Sequence, residues 1–198
     1  MTKGEAIDAA LRWMDEATVG GSAADNGEIA DYRDRMATLL DSVIQLLGSQ
    51  FRLHAQMDSP SGNMGWALYE LPEDFLELDQ ILLFSENGVQ RWTDYRWVGE
   101  RELWVQNAGT GTFRFSYFRM PEHLSANAAE NTVLDCHPLA QTLVPLKLAA
   151  DAMSGMEEKA ELSAYLENKF SAMLQSMLPD AADGFRRVET IYEVSECI

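Results

Sequence analysis

The spacing of apolar residues changes twice along this chain, and nothing else in the sequence constrains the fold as much. Up to Phe51 the spacing is three or four positions, as in Ile29, Tyr32, Met36, Leu40, Ile44 and Leu47. One face of a helix repeats at that interval, because a turn takes 3.6 residues. Beyond Arg52 the spacing shortens to two, most clearly in Phe113-Arg114-Phe115-Ser116-Tyr117. That is the period of a strand with one buried face. After Pro121 the longer spacing returns, with Leu162, Leu166, Phe170 and Met173 on one face. A sheet-forming middle between helical ends predicts an α+β fold. Its helical framework would be N-terminal helices plus a C-terminal helical hairpin, with an inserted antiparallel β-domain. The boundaries read as 1–52 and 121–178 for the helical domain, 53–120 for the β-domain and 179–198 for a C-terminal arm or tail.

Punctuation residues refine this outline. A first helix is expected over 1–17, then a Gly/Ser/Asn loop over 18–27, with Asp25 or Asn26 capping a long second helix over about 28–51. In the middle, "SPSGNMG" reads as a turn. "WALYEL", "FLELDQILLF", "VQRWTDYRWV", "ELWVQ" and "TFRFSYFRM" read as strand segments of a five- or six-stranded sandwich or curled sheet. "ENG" and "NAGTG" are hairpin-turn signals. Pro72 has no backbone donor, so it belongs in a turn before the strand at about 78–84. Near the C-terminal end, Pro138 suits a first turn, and Pro145 either kinks a helix or starts one. The break "SGM" is short enough to join two antiparallel helices. "FRRVETIYEVSECI" fits a strand, an extended arm or a partly ordered terminus.

Composition excludes several classes. No apolar run approaches the roughly 20 residues that cross a bilayer, and the N-terminus has no apolar signal-peptide centre, so a cytoplasmic setting is expected. Two cysteines, Cys136 and Cys197, are too few for a disulfide framework. They are either a redox pair or two unrelated thiols. The formal net charge is −17, and every region contributes acids. Gripping DNA by its phosphates calls for a basic stripe. The nearest clusters, Arg33/Arg35 and Arg186/Arg187, both have acidic neighbours. Acidity suits the wall of a channel through which DNA slides without binding, and it equally suits ordinary solubility.

Catalytic and metal signatures are weak throughout. Gly109-x-Gly111 lies between strand-like segments and lacks the following helix and Lys-Ser/Thr of a phosphate loop. His54, His123 and His137 form no HxxxH or HExxH pair, and Cys136-His137 has no second ligand pair. Glu73/Asp74, Glu77/Asp79 and Glu157/Glu158 are paired carboxylates in a chain with 32 acids, where sequence proximity carries no information. Asp180 and Asp183 lack the remaining ligands of a calcium loop. No catalytic residue, cofactor or metal is therefore assigned.

Several stretches together carry a family likeness. These are Leu71-Pro72-Glu73-Asp74-Phe75 before an apolar strand; the aromatic strand "TFRFSYFRMPEHL", with Tyr117 four positions before Pro121; and the closing hairpin with "KLAADAM" and "LSAYLENKF". In that order, over residues 1–178, the chain resembles the head–tail adaptor (neck or connector) proteins of tailed bacteriophages, including the tail tubular A-like group. The resemblance implies a structural protein of the virion neck or tail, made in the host cytoplasm and using no enzymatic residues. It implies a ring of identical copies, a dodecamer being one count, with portal protein above and a downstream tail protein below. DNA would pass nearby without sequence-specific binding, and no membrane is involved. The acids Glu73, Asp74, Glu77 and Asp79 would then keep the approach to the strand soluble before assembly.

Ring contacts are heterologous, one face meeting a different face of the next copy. They are expected on the second helix and the closing hairpin, through Tyr32, Met36, Leu40, Ile44, Leu162, Tyr165 and Phe170, with Phe185 and Tyr192 in an arm that orders on docking. An alternative is a carbohydrate- or peptide-binding module using the aromatic β-domain, which clustered exposed tryptophans would favour. A small hydrolase is a third class and would need a deep pocket with a perturbed acid.

Overall fold

In a computed structural model, residues 1–14 and 27–178 are described. Residues 18–26 of the expected loop over 18–27 with its caps, Cys197, and the arm with Phe185 and Tyr192 lie outside them. The first helix, α1 (Lys3–Trp13), is shorter than its apolar pattern suggests. It starts at a capping box: Thr2 accepts from the Glu5 amide at 3.3 Å, and the Glu5 carboxylate accepts from the Thr2 amide at 2.8 Å. Two otherwise orphaned donors are satisfied at once. Helix α2 runs Gly27–Gln50, close to the expected bounds.

Among the described residues seven strands follow, more than the five or six expected, from β1 (Leu53–Pro60) and β2 (Gly65–Glu70) through β3 (Phe75–Ser85), β4 (Gly88–Trp92), β5 (Tyr95–Trp97) and β6 (Glu102–Asn107) to β7 (Thr112–Arg119). They form two antiparallel sheets, ordered β1-β7-β3-β4 and β2-β6-β5. Two expectations need correcting. "ENG" does close the β3–β4 hairpin, but "NAGTG" joins β6 to β7 and so crosses from one sheet to the other. "VQRWTDYRWV" is likewise two strands, β4 and β5, in different sheets. Strand β1 had no aromatic signal, because its exposed positions are His54, Gln56, Asp58 and Pro60. Between the sheets lies one buried cluster led by Phe113, Phe115, Ile81 and Leu83 facing Leu103 and Val105.

After the sheets, α3 (Val144–Met153) and α4 (Ala160–Met177) form the expected hairpin, with Pro145 in the first turn of α3 and Gly155 at φ +85° in the connection. The front and rear helices share one core. Ala10 and Leu11 of α1, Leu40 and Leu47 of α2, Leu146 and Met153 of α3, and Leu166 and Phe170 of α4 belong to a single buried cluster. The chain start is tied to the segment after the sheets: the Lys3 ammonium donates to the carbonyls of Ala126 (2.5 Å) and Ala128 (2.8 Å), and Thr2 bridges Val133.

Around Pro72 and Arg119 the sheets are tied to the segment that follows β7. Pro72 starts a turn in which its carbonyl accepts from the Phe75 amide at 3.1 Å, and the Asp74 carbonyl accepts from the Met120 amide at 3.1 Å. The Arg119 guanidinium, at the end of β7, donates twice to Asp135, at 2.6 and 2.8 Å. Three of the four acids near Pro72 also have basic partners. Asp74 faces Arg119, Glu77 pairs with Arg52 and Asp79 with His54. The hydrogen bond from Arg119 holds the Asp135 carboxyl below its ordinary range, against burial that pushes it up. A depressed folded-state value adds stability that is complete above the unfolded pKa of about 4 and is lost as pH falls through the lower folded value. Asp135→Asn is expected to cost about 2 kcal/mol at pH 7. Urea unfolding should show that deficit shrinking below pH of about 4; a deficit unchanged at low pH contradicts this account.

Candidate interaction surface

The two outer faces of the sandwich are built differently. On the four-stranded sheet Arg114 meets Asp58 at 2.7 and 2.8 Å, and its guanidinium lies 4.7 Å from the Phe84 ring centre, while Arg91 of β4 is exposed. The hydrogen bond from Arg114 also holds the Asp58 carboxyl low. Arg52, besides pairing with Glu77, lies 5.6 Å over Phe118.

The three-stranded sheet leaves an apolar strip open. Trp66 is 44% exposed, Leu68 53% and Trp104 48%. Alternation explains their direction: Ala67, Tyr69, Leu103 and Val105 of the same strands turn inward, so their neighbours turn out. Register brings them together, since Leu68 pairs with Trp104, and Trp104 with Arg96. The Arg96 guanidinium lies 5.1 Å from the Trp66 ring centre, a cation–π contact. No carboxylate among the described residues is paired with it.

On its other side, β5 overhangs a cleft of about 360 Å³ between β3 and the turn after β5. Phe75, Leu76, Tyr95, Trp97 and Glu100 line it, and the Phe75 and Trp97 rings lie 5.7 Å apart. It is open and shallow. A second, smaller surface group joins α1 to α4, where the Lys169 ammonium sits 4.1 Å from the Trp13 ring centre and 6.0 Å from that of Tyr165.

The expected interface residues divide sharply. Tyr32, Met36, Leu40, Ile44 and Phe170 are buried in the subunit's own core. That is a correction: a side chain already packed against its own chain has no surface to give a neighbour. Leu162 is half-buried and Tyr165 is 58% exposed, so these two keep an accessible side. The open face of the three-stranded sheet was not among the expected contacts, although four of the five tryptophans lie in the β-region. Periodicity reports that alternate residues face opposite ways without saying which way is out.

Burial pushes the Cys136 thiol up, so it is a core thiol with little thiolate character. Among the described residues no group of three or more His, Cys, Asp or Glu is placed to hold a metal ion. No helix among them is long and apolar enough to cross a membrane.

The most distinctive surface of this α+β chain is its open tryptophan face, which suits contact with another molecule. Its sequence matches the family model of the SU10 adaptor protein over residues 1–190. The chain belongs to that family and is a phage adaptor protein, of the class that links head and tail in the virion neck. No curated protein matches it.

Proposed function

We propose that this chain is a structural ring subunit, docked beneath the portal and above a downstream tail protein, which extends the DNA channel and helps retain the packaged genome. The family match over residues 1–190 carries this reading. Acidity in every region supports a channel wall that DNA passes without sticking, since like charges repel. Within this reading the helices of 1–52 and 121–178 act as one domain and 53–120 as an inserted β-domain. The two separate buried clusters support that division. Residues 179–198 serve as a docking arm, and Leu162 and Tyr165 meet a neighbour. The role needs no catalysis and no cofactor.

Sedimentation or native mass at high protein concentration, with and without portal protein, tests it. Discrete multimers, or capture by portal, are expected. One specific observation favours a second reading, a carbohydrate- or peptide-binding module: Trp66 and Trp104 lie open on one sheet face. A strict monomer that binds glycans would replace the ring reading with that one.

A further inference from the structure

Resting on the ring reading, we propose that strand β5 is the joint between neighbouring copies. The Trp66, Leu68, Arg96 and Trp104 face of one subunit seats on the Phe75, Trp97 and Glu100 cleft of the next, with Arg96 paired to Glu100 of that copy.

Three observations carry this. The first is direction. A large ring needs two different contact surfaces on nearly opposite sides of each subunit. Consecutive strand residues point to opposite faces, so Arg96 and Trp97 look away from each other across a single strand. Because β5 is the edge of its sheet, its inner side is left partly uncovered, and Trp97 is 46% exposed.

The second is charge. Most cations near the sheets already have a carboxylate, as Arg52, Arg114 and Arg119 do. Arg96 rests on an indole with its donors open, and across the strand Glu100 has no cation among the described residues. A surface that is apolar with one cation faces one way, and a cleft that is aromatic with an open anion faces the other. They complement each other between copies and are not paired within one.

The third is residue type. Tryptophan and arginine dominate the energy of protein interfaces, because they bury large area at low entropic cost and pair through a planar donor set. The opposite sheet face exposes no tryptophan, and its Arg114 is already paired with Asp58.

The test uses the full chain with portal protein. Sedimentation velocity should show ring-sized species for the unchanged protein, and about 100-fold weaker assembly for Arg96→Glu, which sets two acids against each other. Glu100→Arg should fail in the same way. Combining both changes in one chain, or mixing the two single variants, should restore the rings, which a misfolded variant would not do. If Arg96→Glu assembles normally while the unchanged protein forms rings, this joint is wrong and the ring reading stands. Normal rings with portal capture lost would assign the face to the portal and also overturn the joint. If the unchanged protein stays monomeric with portal present, the ring reading falls, and the joint with it.

Discussion

Leu40→Ala is expected to destabilise the isolated chain by about 3 kcal/mol and to lower its melting temperature by roughly 10 °C, before any assembly takes place. Leu40 is fully buried in α2, inside the cluster shared by all four helices. Truncation there removes the transfer energy of the lost methyls and leaves a cavity that the surrounding packed side chains only partly collapse to fill. The same change on an exposed intersubunit face would leave the monomer intact and weaken only the ring. Thermal unfolding of dilute protein distinguishes the two. Tyr165→Ala is the comparison: exposed on α4, it should alter stability by no more than about 0.5 kcal/mol. An unchanged melting temperature for Leu40→Ala would return α2 to the interface.

Gly111→Ala is expected to cost about 3 kcal/mol or more, concentrated in the four-stranded sheet. Gly111 ends the crossing from β6 to β7 at φ +117°, a conformation that side chains other than glycine's rarely adopt. A Cβ there would lie 2.5 Å from the Phe84 carbonyl oxygen and 3.1 Å from a Leu83 methyl. The carbonyl belongs to β3, so relief requires moving a strand and not a side-chain tip. Gly88 is the control, with φ +107° in the β3–β4 hairpin and nothing within 4 Å of its Cβ position. Its alanine variant bears the backbone strain alone, roughly 1 kcal/mol. Chemical unfolding of both variants, with amide exchange in β3 and β7, gives the difference. Equal costs at the two positions would mean that the approach to Phe84 is not held.

Legibility in the sequence followed the range of the interaction involved. Helix α2 was readable almost to its ends, because Tyr32, Met36, Leu40 and Ile44 recur within one helix. The α3–α4 hairpin was readable from Pro145 and Gly155. The family likeness was legible in short motifs, and one of them, the turn at Pro72, proved to be where the sheets are tied to the segment after β7 through Asp74, Arg119 and Asp135. Strand β1 was not legible, since His54, Gln56 and Asp58 carry no apolar signal and its place is set by pairing with β7. The same holds for the interaction surface. An apolar stripe looks alike in sequence whether it faces a core or a neighbour, so the α2 stripe was read as adhesive and the tryptophan strip was left out of the expected contacts.

The sequence by itself determined where helix gives way to strand and back, the turns at Pro72 and Gly88, the uniform acidity and the family. Those are properties of composition and of residues a few positions apart. Only the tertiary structure decided that 107–111 crosses between sheets, that the α2 face lies inside the subunit, and that Trp66, Arg96 and Trp104 lie together in the open. Each depends on which distant segment covers a given face, and periodicity contains no information about that.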